Sequence, residues 1–204
     1  RYAQCRVEGS SDATVGFPLL RKAHCMFGWD WGPRLPDAGV WRDIYLTTVT
    51  SARLTGVRVH QEHEEHEDGR VTLSFETEVE SHTGLCECTE PEYSVRYTLT
   101  APDGETLQSV DEDIVVEKPE LWWPNGYGRQ PLYTVRAELM NEDGDVLDVW
   151  ERRIGLRTMT MRRAKDQWGE TFETCVNGVS IFAMGGDYIP EDNILRRVTT
   201  ERTR

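Results

Sequence analysis

Val71-Thr72-Leu73-Ser74-Phe75-Glu76-Thr77-Glu78-Val79 alternates apolar and polar residues with a period of two. In an extended chain successive side chains leave on opposite faces, so Val71, Leu73, Phe75 and Val79 share one face and Thr72, Ser74, Glu76 and Glu78 the other. The same pattern returns in Tyr93, Val95, Tyr97 and Leu99 and again in Tyr133, Val135, Ala137 and Leu139. Turn signals separate these runs, among them Pro102-Asp103-Gly104 and Glu142-Asp143-Gly144. One apolar and one polar face is what an antiparallel sandwich requires. Roughly seven strands fit between Ala52 and Arg157, close to the number and the ~100-residue length of an immunoglobulin-like fold. The Cys, Trp, Cys signature of antibody domains is absent, so the expectation is an all-β, immunoglobulin-like antiparallel sandwich without its disulfide.

The flanks read differently. Residues 1–50 are rich in Gly, Pro and Trp and end in a strand pattern, Val40-Trp41-Arg42-Asp43-Ile44-Tyr45-Leu46, as the tail of another β domain would. Phe172 to Ala183 reads as a hairpin turning at Asn177-Gly178, a type I′ signal. Met184-Gly185-Gly186-Asp187-Tyr188-Ile189-Pro190 then follows a strand, and Pro190-Glu191-Asp192 opens a predicted helix through Ile194, Leu195 and Val198. Strand, loop and helix in that order are how a β/α barrel begins. The expected domains are therefore 1–50, 51–157 and 158–204.

With 204 residues the chain can bury a sizeable core. Its 36 acidic and 23 basic residues give a net charge of -13, the wrong sign for neutralising phosphate backbones or docking on anionic membranes. No apolar run approaches the ~20 residues of a membrane-spanning helix, and the chain reads as soluble. The start at Arg1-Tyr2 and the charged tail at Arg204 read as the ends of an internal fragment.

Cys5, Cys25, Cys86, Cys88 and Cys175 cannot all pair within one chain and lack the spacing of a disulfide framework, so mostly free thiols and a cytoplasmic setting are expected. Cys86-Glu87-Cys88 resembles half of a metal site, but no second Cys or His pair sits at a matching distance, so a loop with incidental thiols is expected. His60, His63 and His66 could share a face only in a helix. The segment joins two strand patterns and ends at Asp68-Gly69, so an exposed acidic hairpin is expected and no metal is assigned.

Phe27-Gly28-Trp29-Asp30-Trp31-Gly32-Pro33, Leu121-Trp122-Trp123-Pro124-Asn125-Gly126 and Gly185 to Pro190 lie in three segments that together resemble one family, the β-mannosidases of glycoside hydrolase family 2. Arg21-Lys22-Ala23 through Phe27-Gly28-Trp29-Asp30-Trp31-Gly32-Pro33-Arg34-Leu35-Pro36, continuing to Gly39-Val40-Trp41-Arg42, resembles the end of their jelly-roll sugar-binding domain. Leu121-Trp122-Trp123-Pro124-Asn125-Gly126-Tyr127-Gly128 with Gln130-Pro131-Leu132-Tyr133 resembles a motif of their immunoglobulin-like middle domain. Val176-Asn177-Gly178 and Gly185 to Pro190 resemble the entry into the catalytic (β/α)8 barrel, with Gly185-Gly186-Asp187-Tyr188 where the family more often has Gly-Ala-Asn-Trp. Galactosidases and glucuronidases of family 2 usually carry Leu-Trp-Ser-Pro in the second motif, so Trp123-Pro124-Asn125-Gly126 favours the mannosidase branch.

The resemblance implies a retaining glycosidase acting on terminal β-mannosides. Such enzymes use two carboxyl groups about 5 to 5.5 Å apart. In the family both are glutamates on later barrel strands, so no catalytic residue is expected here, and Asn141-Glu142 reads as a solvated turn. What the resemblance does assign is substrate binding. Asp30 would accept hydrogen bonds from sugar hydroxyls, Trp29 and Trp31 would shape the wall, and Asp187 and Tyr188 would line the pocket. Trp122, Trp123, Asn125 and Tyr127 read as packing anchors of the sandwich. The implied partners are a carbohydrate substrate and the catalytic barrel, with no cofactor. The competing readings are a stand-alone carbohydrate-binding or protein-interaction sandwich and a family 2 relative acting as a β-galactosidase, β-glucuronidase or exo-glucosaminidase.

Overall fold

The computed structural model describes residues 17–28, 32–40, 42–64, 69–82 and 92–204. Among these, seven strands form where the alternation predicts: β1 (Ala52–His63), β2 (Val71–Ser81), β3 (Ser94–Thr100), β4 (Thr106–Val110), β5 (Ile114–Val116), β6 (Tyr133–Met140) and β7 (Val146–Ile154). They make two antiparallel sheets, ordered β1-β2-β5 and β4-β3-β6-β7. The apolar faces oppose each other. Val71 and Leu73 from the first sheet are buried with Val95, Tyr97, Leu99, Val135, Ala137 and Leu139 from the second. Fully burying a leucine or valine side chain contributes about 1.5–3 kcal/mol, so this layer dominates the stability of the sandwich. Val79 departs from the pattern and is exposed; the buried face of β2 ends at Phe75, whose ring stacks on Tyr97 at 4.0 Å.

Polar side chains also join the sheets. Asp148 of β7 accepts a hydrogen bond from Leu54 N of β1 at 2.8 Å. Gln61 of β1 donates to Gly155 O and accepts from Arg157 N, each at 3.2 Å. Register along β1 and β2 slips by one residue between Leu54 and Gly56, a bulge beside the Asp148 contact. The β3–β4 and β6–β7 turns fall on the two predicted signals, with Gly104 at φ 95° and Gly144 at φ 83°. Asn141 sits in the second turn, where its Oδ1 accepts from Asp145 N at 2.7 Å.

A third antiparallel sheet, ordered β10-β9-β8, consists of β8 (Met159–Arg162), β9 (Glu173–Val176) and β10 (Val179–Ile181). Asn177 and Gly178 at its turn take φ 49° and 77°, as a type I′ hairpin demands. This sheet lies in one compact unit with the sandwich, Thr47–Ala183; Arg1–Leu46 and Met184–Arg204 form the other.

Two expected elements are corrected. The described part of the 40–46 strand pattern forms no ladder, and Ile44 and Leu46 are 80% and 100% exposed, because alternation makes a strand only where a neighbour supplies hydrogen bonds. The helix expected from Pro190 is reduced to a 3₁₀ turn at Leu195–Arg197 and one α-helical turn, α1 (Thr200–Thr203). Asp192 bonds Ile194 N at 2.9 Å, an Asx turn that diverts the backbone before a helix can start. Residues 182–190, read as the first barrel strand, have no ladder partner among the described residues. Cys25 and Cys175 are free thiols; Cys5, Cys86 and Cys88 lie outside the described residues. Among those described, no helix is long and apolar enough to cross a membrane.

Candidate functional site

The flanking unit is built on a small aromatic cluster. Phe17, Met26 and Phe27 are buried together, and Leu195 packs on them from the far end of the chain. The 3₁₀ turn His24–Phe27 ends at Gly28, whose φ of 100° a side chain would resist. Trp29, Asp30 and Trp31 come next in the sequence and lie outside the described residues. The backbone is described again from Gly32-Pro33, where the Pro33 carbonyl accepts a hydrogen bond from Nδ2 of Asn193.

Asp187 and Tyr188 are both exposed, Tyr188 at 67%. Its hydroxyl donates to Glu191 Oε1 at 2.9 Å, and that bond pushes the phenol pKa up. The hydroxyl is thereby engaged while much of the residue stays open to solvent. Asp192 beside it is gripped from two sides, by Arg197 at 2.7 Å and by Arg202 at 3.0 Å. The Arg197 bond first, then the Ile194 N–H and Arg202, hold its carboxyl well below the usual carboxylate range. A carboxylate so firmly ionised is a brace and not a proton donor.

His60 and His63 lie on β1, three residues apart in a strand, and so face opposite ways. His60 approaches Glu76 at 3.4 Å, whereas His63 bonds Gln61 and has its pKa lowered by burial. A shared metal site on the two is excluded by that geometry; His66 lies outside the described residues. Among the described residues no group of His, Cys, Asp and Glu could hold a metal ion.

The Trp122-Trp123 motif is a structural joint. A Cβ on Gly155 would lie 2.8 Å from Trp122 Cγ, and one on Gly128 would lie 2.8 Å from Trp123 Cγ, so each indole rests directly on backbone. The Arg157 guanidinium covers the Trp122 ring at 4.6 Å. Trp122 O accepts from Asn177 Nδ2 at 3.0 Å and Tyr127 Oη from Phe182 N at 3.0 Å, which ties the third sheet to the sandwich. These aromatics pack, as the sequence indicates.

Sequence reasoning missed Asn193 and the Asp192–Arg197–Arg202 clamp. Arginines five and ten residues beyond an aspartate match no helical spacing, and nothing in the sequence marks an asparagine that becomes buried.

The chain matches Glycosyl hydrolases family 2 over residues 42–157 and the Glycosyl hydrolase 2 galactose-binding domain-like family over residues 3–42. Beta-mannosidase B of Emericella nidulans is 34% identical over 195 residues, covering 91% of this chain and 22% of that protein. Beta-mannosidase B of Aspergillus flavus is 36% identical over 194 residues, with the same two coverages. The chain therefore spans about a fifth of the length of these curated relatives. Among solved structures, the beta-D-mannosidase of Dictyoglomus thermophilum superposes with a TM-score of 0.72 at 32% identity, over 89% of this chain and 23% of that one.

Proposed function

This chain belongs to family 2 of the glycosyl hydrolases, and we propose that the protein carrying it is a retaining β-mannosidase that hydrolyses terminal β-D-mannosides. The reading is carried by one observation: likeness to β-mannosidases runs along about nine-tenths of the chain, in sequence and in structure alike. Retention requires two carboxyl groups about 5 to 5.5 Å apart. We assign these to the rest of the polypeptide, and to this chain scaffold and sugar binding. Asp30 accepts hydrogen bonds from hydroxyls of the mannose, Trp29 and Trp31 wall its subsite, and Asp187 and Tyr188 line the pocket. The exposure of Tyr188 supports that role.

The division into 1–50, 51–157 and 158–204 belongs to the same proposal, and the end of the family 2 match at residue 157 supports its second boundary. So does docking on a catalytic barrel, for which the exposed Met184, Tyr188 and Ile189 are suitable apolar contacts. Free Cys25 and Cys175 support a cytoplasmic setting.

The experiment compares aryl β-mannoside, β-galactoside and β-glucuronide as substrates of the complete polypeptide, with and without Asp30→Ala. Preference for the mannoside is expected. A charge-assisted hydrogen bond is typically worth ~1.5–3 kcal/mol, so the variant should lose about 10 to 150-fold in kcat/KM with its melting temperature preserved. Preference for another glycoside overturns the substrate assignment, and unchanged efficiency removes Asp30 from the site.

A further inference from the structure

We propose that Asn125 is a self-modification site, its side-chain amide lost to attack by the backbone nitrogen of Gly126, whereas Asn177, in the same dipeptide, is protected by the fold. The chain holds two Asn-Gly pairs, Asn125-Gly126 and Asn177-Gly178. Their glycines are alike. Gly126 takes φ 86° and Gly178 φ 77°, and a Cβ on either would meet nothing within 4 Å. The asparagines differ. The Asn177 amide is pinned at both ends, its Oδ1 accepting from Thr158 N and its Nδ2 donating to Trp122 O, each at 3.0 Å. Asn125 is exposed, and among the described residues no hydrogen bond engages its amide. The sequence groups Asn125 with the packing aromatics around it, but the structure leaves it in solvent.

The reaction needs an asparagine side chain free to rotate onto the next nitrogen, no side chain on the next residue to block it, and water. Position 125 meets all three. Once base removes the Gly126 N–H proton, the nitrogen attacks Asn125 Cγ; a C–N bond forms, the Cγ–Nδ2 bond breaks, and the amide group leaves as ammonia, taking up a proton. Water then opens the five-membered imide at either carbonyl, which leaves aspartate or isoaspartate at position 125. Nothing is oxidised or reduced. At Asn177 two hydrogen bonds must break before Cγ can turn, which slows the same step about fivefold to 150-fold. Isoaspartate also routes the backbone through the side-chain carbon, adding one bond to a turn closed by Tyr127 N and Pro124 O at 3.0 Å. Tyr127 Oη accepts from Phe182 N, so a lengthened turn loosens the tie between the third sheet and the sandwich.

The test incubates the complete polypeptide in mildly alkaline buffer, folded and in guanidinium chloride, and follows the peptides that contain the two positions by mass spectrometry for replacement of the amide NH2 by OH. In denaturant both positions should convert at similar rates. In the folded protein position 125 should convert about fivefold to 150-fold faster than position 177. Aged protein should melt a few degrees below fresh protein. Fresh Asn125→Asp, which gains the charge without the extra backbone bond, should melt with fresh wild type. Asn125→Gln, whose amide could close only a slower six-membered ring, should resist ageing. Equal folded rates at the two positions, or a folded position 125 that stays intact, overturns the inference. An equal fall in melting temperature in aged Asn125→Gln overturns the link to the joint.

Discussion

Leu73, Val135 and Leu139 of the sandwich are fully buried, each in a row of residues repeated along a paired strand. In the flanking unit the buried apolar side chains are Phe17, Met26 and Phe27, and the 187–202 stretch is held by single contacts: Tyr188 to Glu191, Asp192 to two arginines, Asn193 to Pro33. One region spreads its stability over a layer, so no contact is decisive for geometry. The other concentrates its geometry in a few polar bonds, each of which can be cut singly. Of the candidate sugar-binding residues, the described pair Asp187 and Tyr188 belongs to the second kind, where position matters more than stability.

Leu139→Ala should strain this contrast most. Removing a fully buried leucine from the centre of the layer costs about 2–5 kcal/mol, the lost burial plus the cavity left behind. Urea denaturation should show it as a lower midpoint at nearly unchanged slope. A loss below about 1 kcal/mol would mean that the two sheets do not depend on their shared core.

Glycines offer a finer comparison. A methyl group at Gly155 meets the Trp122 indole at 2.8 Å, against backbone-anchored neighbours that cannot give way, so Gly155→Ala should destabilise by about 1–3 kcal/mol. At Gly185, in the flanking unit, a Cβ meets nothing within 4 Å, so Gly185→Ala should be neutral or stabilise by up to about 1 kcal/mol. Thermal melts of the two variants side by side decide the point; equal losses would erase the distinction between a packed joint and an open segment.

What the sequence discloses follows the same division. Alternation at Val71–Val79 and Tyr133–Leu139 is a local signal of a repeated environment, and the strands form there. The Asn177-Gly178 turn is equally local, since the positive φ values it needs are intrinsic to those residues. Val40–Leu46 carries a similar local signal, yet its described part pairs with no strand among the described residues, because pairing is a property of a neighbour that the segment itself does not encode. The helix expected at Pro190 fails because Asp192 is claimed by Arg197, Arg202 and its own Asx turn. Trp29-Asp30-Trp31 is legible only through family resemblance, while Asn193, whose partner lies 160 residues away, is not legible at all.

The smallest expected effect depends on pH. Asp192 is ionised in the folded chain to well below the usual carboxylate range, whereas in the unfolded chain an aspartate titrates near pH ~3.9. A depressed folded value means that the clamp contributes fully above the unfolded value and that its contribution is lost as pH falls from about 4 toward the folded one. Asp192→Asn abolishes the two ion pairs at every pH. Wild type should therefore melt above the variant at pH 7, and the gap between them should narrow as pH drops from 4 to 2. Both arginines are about half exposed, so screening by solvent and salt keeps the gap to a few degrees at most. A gap of the same size at pH 7 and pH 2.5 would show that Asp192 acts through its shape and the Ile194 N–H bond, which asparagine retains, and not through its charge. In that case the flanking unit would be fixed by backbone turns, and the contrast with the sandwich would rest on Asn193 and Tyr188 alone.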